Sequence, residues 1–307
     1  MSSSVRASLA GLAAILLWSL LALMTAVSGA LPPFQLLALS FAIGGLFGAA
    51  LLLRRGRLRR ALKQPPQAAL LATAALFGYH ALYFFALKNA PVVEANLINY
   101  LWPLLIVVFA ALIAGQSVRP GQWLGTVLGL CAALLVVTRG RSIQLDADHL
   151  AGYLAALAAA LTWAAYSVLN RRFAAIDSAA IVGPCLLTAL LGAIAHLTLE
   201  QSVSPTLTQW LIILAMGVGP VGGAFWLWDH GTKRGDLVML GTLSYLAPLL
   251  STLWLVAFGL SEAHGSQAIA VALLLLGGWL SRGRKAAEKP VRASELANAA
   301  NRSGRLQ

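Results

Sequence analysis

Tyr100-Leu101-Trp102-Pro103-Leu104-Leu105 returns 145 positions later as Tyr245-Leu246-Ala247-Pro248-Leu249-Leu250. The same offset carries Trp18 onto Trp163, Gly78 onto Gly223 and Lys88 onto Lys233. One offset shared by landmarks this far apart marks an internal duplication, and a duplication has to be recognised before any local reading. Both copies of the motif lie inside long apolar runs, so the fold turns on what those runs are.

Of the 307 residues, 59% are hydrophobic and only 10% are charged. A soluble domain carries about 25% charged residues. So few charges cannot cover a soluble surface of this size, and lipid has to be the solvent for most of the chain. A membrane helix needs about 20 mostly apolar residues. Ten runs meet that need, near 8–28, 34–53, 67–88, 93–114, 121–138, 151–171, 179–199, 207–228, 237–258 and 266–281. Breakers stand between them at Pro32-Pro33, Pro65-Pro66, Pro91, Pro120 and Pro205. The first run is longer than a signal-peptide core and no small-residue cleavage site follows it, so it reads as a retained span. An all-α membrane protein of ten helices is expected.

Charge sets the orientation. With ten spans, 19 of the 22 basic residues fall on one side: Arg6, the cluster from Arg54 to Lys63, Arg119, Arg171, Arg172, Lys233, Arg234 and those from Arg282 onward. Lys88, Arg139 and Arg141 fall on the other. The basic side is the cytoplasmic one, which puts both termini in the cytoplasm. Residues 1–146 and 147–283 then hold five spans each. Five is odd, so the two copies cross with opposite orientation. Inverted repeats of this kind mark alternating-access transporters, whose substrate site lies near the midplane between the halves. Residues 284–307 are polar and rich in Ala, Asn and Arg, and are expected to form a disordered cytoplasmic tail.

The stretch Tyr83-Phe84-Phe85-Ala86-Leu87-Lys88-Asn89-Ala90-Pro91, with Val92-Val93-Glu94-Ala95-Asn96-Leu97 and Leu101-Trp102-Pro103-Leu104 after it, resembles the EamA-type branch of the drug/metabolite transporter superfamily. A weaker copy stands at Gly231-Thr232-Lys233-Arg234-Gly235-Asp236 and Ala247-Pro248-Leu249. The resemblance covers nearly all of the chain except the tail. One position departs from the pattern: where the family often has an acid after a Gly at the end of the fourth span, this chain reads Gly115-Gln116, while Glu262 stands near the matching place in the second half. The aromatic wealth of spans three and four is most similar to the bacterial aromatic-amino-acid exporters. That resemblance implies an exporter of aromatic and other neutral amino acids in a bacterial inner membrane. The alternative on the same scaffold is an exporter of other small metabolites or hydrophobic drugs.

A polar side chain at membrane depth is costly and usually faces the bundle interior or a wet cavity. Tyr79, His80 and Tyr83 share one face of span three, since residues three and four apart are helix neighbours. Asn96, Asn99, Tyr100 and Pro103 form a stripe in span four with Trp102 beside it, and Ser244, Tyr245 and Pro248 form one in span nine. Trp18 and Trp163 lie well inside their spans. These tyrosines and tryptophans line a cavity or pack as interior rings. His80 contacts substrate or is a structural histidine. Trp123, Trp210, Trp226 and Trp279 sit near span ends, as interface anchors do. Gly219, Pro220, Gly222 and Gly223 in span eight, like Pro103 and Pro248, mark a hinge or broken helix, with tight packing as the other reading for the glycines. The spacing of Gly125 and Gly129 is a helix-packing face.

Several functions are excluded. No Asp or Glu falls in the middle of a span, so no central carboxylate relay is expected; transport is facilitative or coupled through His80, whose type titrates near neutral pH. A path without buried Lys or Arg does not suit phosphorylated sugars. An intramembrane enzyme would need clustered acids, paired histidines or a nucleophile with its base, and none is present. Cys131 and Cys185 lie in apolar runs without metal or redox spacing. No cofactor, metal or nucleic acid is expected as a partner: the partners are a small-molecule substrate and the lipid bilayer. With its own ten-span cavity a monomer suffices.

Overall fold

The structure is a computed structural model and describes residues 2–281. The expected tail, 284–307, lies outside the described residues. Among those residues every regular element is helical. Nine helices are long and apolar enough to cross a membrane: α1 Ser3–Ser28, α2 Pro33–Arg54, α3 Pro66–Asn89, α4 Val92–Leu112, α5 Pro120–Thr138, α6 Ala147–Phe173, α7 Ser178–Leu199, α8 Leu207–Arg234 and α9 Leu237–Ala257. The last apolar run forms a shorter helix, α10, Gly265–Ser281.

Helix starts follow local chemistry. Pro33, Pro66 and Pro120 occupy first-turn positions, where the missing N–H costs nothing. Thr206 and Gln209 cap α8 reciprocally, and the Asp236 carboxylate accepts from Met239 N at the start of α9. Glu200, at the end of α7, accepts from the backbone N–H groups of Phe34 and Gln35 at 3.0 and 3.1 Å. It thus caps α2 across the bundle, where an anion meets the positive end of the helix dipole.

The runs expected to be continuous are interrupted in four places. α1 breaks at Leu20. α4 breaks at Tyr100–Leu101 and α9 at Ser244–Tyr245, so both copies of the repeated motif sit on a break. The cause is the proline. Pro103 and Pro248 have no N–H for the carbonyls of Asn99 and Ser244, and their rings clash with those carbonyls. The turn ahead of each proline tightens instead: Leu101 N donates to Ile98 O at 3.1 Å and Ala247 N to Ser244 O at 3.1 Å. In α8 the segment Gly217–Gly223 widens into a π-helix around Pro220.

The most extensive helix pairings are α5 with α10, α2 with α7, α1 with the end of α8, and α3 with α6. Exchanging each helix for the one five places on leaves this set unchanged. The contacts are close because small residues meet. A Cβ on Gly125 would stand 2.4 Å from Gly277 O, and one on Gly231 would stand 2.8 Å from Gly11 Cα. Without a hydrophobic drive between helices in lipid, such close backbone approach is what holds them. Gly125 and Gly129 form a packing face as expected, although they face different partners, α10 and the Tyr245 ring of α9. The outer surface is apolar: Leu70, Leu112, Leu197 and Leu275 are largely exposed, as residues facing acyl chains should be. Trp210, Trp226 and Trp279 are exposed on it too.

Candidate functional site

One continuous set of rings fills the centre, drawn from α1, α2, α3, α4, α6 and α8. Trp18 meets Trp163 edge-on at 5.5 Å between ring centroids. Both touch Phe225, at 5.7 Å each. Trp228 lies 5.1 Å from Trp18 and 6.1 Å from Trp102. Tyr79 stands 5.7 Å from Trp163 and stacks on Tyr83 at 5.9 Å. His80 is ringed by Phe41, Tyr79, Phe84 and Phe225, at 5.2 to 6.3 Å.

Two of these contacts join residues that the 145-residue offset relates. Trp18 meets Trp163, and His80 meets Phe225 at 6.3 Å. A residue touches its own repeat counterpart only close to the axis that exchanges the two copies. The aromatic cluster therefore lies where the copies meet.

Polar groups flank the rings. Tyr83 Oη donates to Asn96 Oδ1 at 2.5 Å, and Asn99 Nδ2 donates to Tyr79 Oη at 3.1 Å. The buried Asn99 Oδ1 has no hydrogen-bond partner among the described residues. His80 Nδ1 lies 2.6 Å from Leu76 O. A carbonyl only accepts, so Nδ1 carries the proton and Nε2 keeps its lone pair. The Trp18 indole N–H donates to Pro220 O at 3.0 Å, tying the first span to the widened turn of α8.

Not every expected residue joins the cluster. Ser244 is fully buried and donates its hydroxyl to Leu240 O at 2.7 Å. Tyr245 is fully buried with its ring on Gly129. Both serve the break in α9. Tyr100 is half-buried at the break in α4, and Pro103 and Pro248 are buried. In the widened turn, Gly222 packs on Gly44 of α2, where a Cβ would meet Gly44 Cα at 2.8 Å. At Gly223 a Cβ would meet Val218 O at 2.8 Å, whereas Gly219 has nothing nearer than 3.9 Å. The cluster accommodates packing at Gly222 and leaves room at Gly219. Gly78, the counterpart of Gly223, faces open space.

Sequence reading passed over Phe225, Trp228 and Phe41. The repeat offset held the signal for two of them: Phe225 corresponds to His80 and Trp228 to Tyr83. It also left unused the buried network below the rings. There Asp229 pairs with Lys233 at 2.9 Å and accepts from Asn170 Nδ2 at 2.8 Å and Tyr166 Oη at 3.4 Å. The spacing of Asp229 and Lys233 by four residues on one helix is what foreshadows this pair. Among the described residues no group of three His, Cys, Asp or Glu side chains is placed to hold a metal.

The model of the EamA-like transporter family matches residues 5–138 and again 150–282. The chain is 48% identical over 272 residues to the aromatic amino acid exporter YddG of Ancylobacter novellus, covering 88% of this chain and 95% of that protein. It is 28% identical over 262 residues to the aromatic amino acid exporter YddG of Escherichia coli K12, covering 80% of this chain and 86% of that one. A solved crystal structure superposes with a TM-score of 0.86 at 47% identity, covering 91% of this chain and 98% of the other.

Proposed function

We propose that this chain, which belongs to the EamA-like transporter family, exports aromatic and other neutral amino acids across a bacterial inner membrane. It is a transporter and not an enzyme. In this reading α10 is the tenth span, both termini are cytoplasmic, and residues 1–146 and 147–283 are inverted five-helix units. They rock about a midplane site. The observation that carries the reading is the meeting of Trp18 with Trp163 at 5.5 Å, a pair of repeat counterparts in one aromatic cluster.

The cluster suits the substrate chemically. An aromatic side chain exchanged for one of the ring–ring contacts gains about 0.5–1.5 kcal/mol per pair beyond burial. An ammonium group wants acceptors and ring faces, and His80 Nε2 and Asn99 Oδ1 are acceptors beside rings. Trp18, Tyr79, Tyr83, Trp102 and Trp163 supply stacking surface, with Phe225 and Trp228 added from the structure. Asn96 and Tyr100 line the way to the break in α4. A flat apolar compound would find the same surfaces, which keeps export of other metabolites or hydrophobic drugs as the second reading.

Flux of labelled phenylalanine or tryptophan from loaded proteoliposomes tests this. The wild type is expected to release label above empty liposomes. Trp163→Ala is expected to lower release at least tenfold while keeping its melting temperature within a few degrees. Unlabelled aromatic amino acids should compete better than hydrophobic drugs. An absence of protein-dependent release would overturn the substrate assignment.

A further inference from the structure

A cavity lies away from the ring cluster, where the basic connections gather. Its volume is about 670 Å³. The wall on one side is Leu52 of α2 with Arg57, Arg60, Ala61 and Lys63 of the connection that follows. The other side is 175–180, the α6–α7 connection and first turn of α7, together with Trp226, His230 and Arg234 along one face of α8. The cleft therefore bridges the two copies.

Its charge is unbalanced. The acid in its wall, Asp177, is taken by Arg57 in an ion pair. Among the described residues Arg234 reaches His230 Nδ1, at 3.1 Å, and the Ala174 carbonyl, at 3.2 Å, and no carboxylate matches its charge. Arg60 and Lys63 are exposed, and their side chains have no hydrogen bond or ion pair among the described residues. Three cations thus face one cleft without a counter-ion among the described residues. Apolar surface borders it: Trp226 is 47% exposed, and Leu53 and Leu62 stand out beside the connection. An indole at the edge of a basic cleft is where a ring sits at the depth of lipid headgroups. The chain's own polar C-terminal segment does not suit the cleft, since from Arg284 onward it carries six Lys and Arg against Glu288 and Glu295.

We infer that this cleft binds a phosphate-bearing anion, the headgroup of an anionic phospholipid, with Arg60, Lys63 and Arg234 on the phosphate and Trp226 at the glycerol and acyl level. Basic pockets between helices on the cytoplasmic side take such headgroups. The leaflet assigned rests on the orientation proposed above; the site itself does not. Because the cleft has one wall from each copy, a bound headgroup ties the two together at this end.

Native mass spectrometry and lipid titration in nanodiscs test it, using phosphatidylglycerol, phosphatidylcholine and inorganic phosphate as probes. The wild type is expected to prefer phosphatidylglycerol over phosphatidylcholine by tenfold or more. Arg60→Gln with Lys63→Gln should reduce that preference to within twofold, and the charge-retaining pair Arg60→Lys with Lys63→Arg should keep it. Displacement by millimolar inorganic phosphate would assign the site to the free anion rather than the lipid. Equal binding of both lipids by the wild type, or an unchanged preference in the neutral double variant, would overturn the proposal. Transport of amino acid serves as the independent check that the variants are folded.

Discussion

His80 shows how one hydrogen bond decides what a side chain can do. Its Nδ1 is held by the Leu76 carbonyl of its own helix, so the ring is fixed and only Nε2 faces outward among aromatic neighbours. One nitrogen of this histidine is tied within its own helix, and the other keeps a lone pair. Among the described residues no carboxylate bonds to His80, and Asp229 in the network below is held by Lys233. We therefore expect His80→Ala to raise the substrate KM severalfold and to leave the pH profile of flux flat between about pH 5.5 and 8. A wild-type profile that bends in this range and flattens on substitution would replace facilitative export with proton coupling. The stripe of Tyr79, His80 and Tyr83 was legible from spacing alone, because a polar group in an apolar helix has few places to go. The different fate of Tyr245 was not, since nothing in its own segment says that Gly129 lies beneath its ring.

At the scale of elements, the prolines are the informative residues. Pro103 and Pro248 break α4 and α9 at matching places, and the sequence predicted both. Replacing Pro103 by Ala restores a donor for the Asn99 carbonyl and lets α4 run straight. We expect this variant to melt a few degrees higher and to export at least tenfold more slowly, as measured by thermal shift and proteoliposome flux. The widened turn of α8 behaves differently. Gly44 and Gly222 touch through backbone, with a Cβ on Gly44 falling 2.6 Å from Gly217 O. Gly44→Ala is expected to cost about 1–3 kcal/mol through overpacking, seen as a lowered melting temperature. Composition alone left hinge and packing both open for Gly219, Gly222 and Gly223. Which one a glycine serves depends on the neighbouring helix, and that neighbour is 173 to 178 residues away in the chain for Gly44 and Gly217–Gly222.

For the whole molecule, charge and repetition carried most of the information. Ten apolar runs, their order and the internal duplication were all legible, because lipid forces every span to satisfy its backbone within a helix. Interruptions within spans were legible only where a proline marked them; the break at Leu20 has no such mark. Orientation remains to be measured. With Cys131 and Cys185 replaced by Ser, Arg59→Cys is expected to react with a membrane-impermeant maleimide only from the cytoplasmic side, and Arg141→Cys only from the opposite side. The reverse pattern would turn the molecule over in the membrane.

The pair of Asp229 and Lys233 has no twin. Their counterparts in the first copy are Phe84 and Lys88, so the acid is missing there. Two identical halves exchanging roles would give inward- and outward-facing states of equal energy. Every unmatched residue tips that balance, and each 1.4 kcal/mol changes a population ratio about tenfold. A buried ion pair with its hydrogen bonds formed on one side only is a built-in weight on the scale. In the alternating-access reading proposed above, it favours whichever state keeps the pair formed. A duplicated protein acquires a preferred resting state through the places where its copies have diverged.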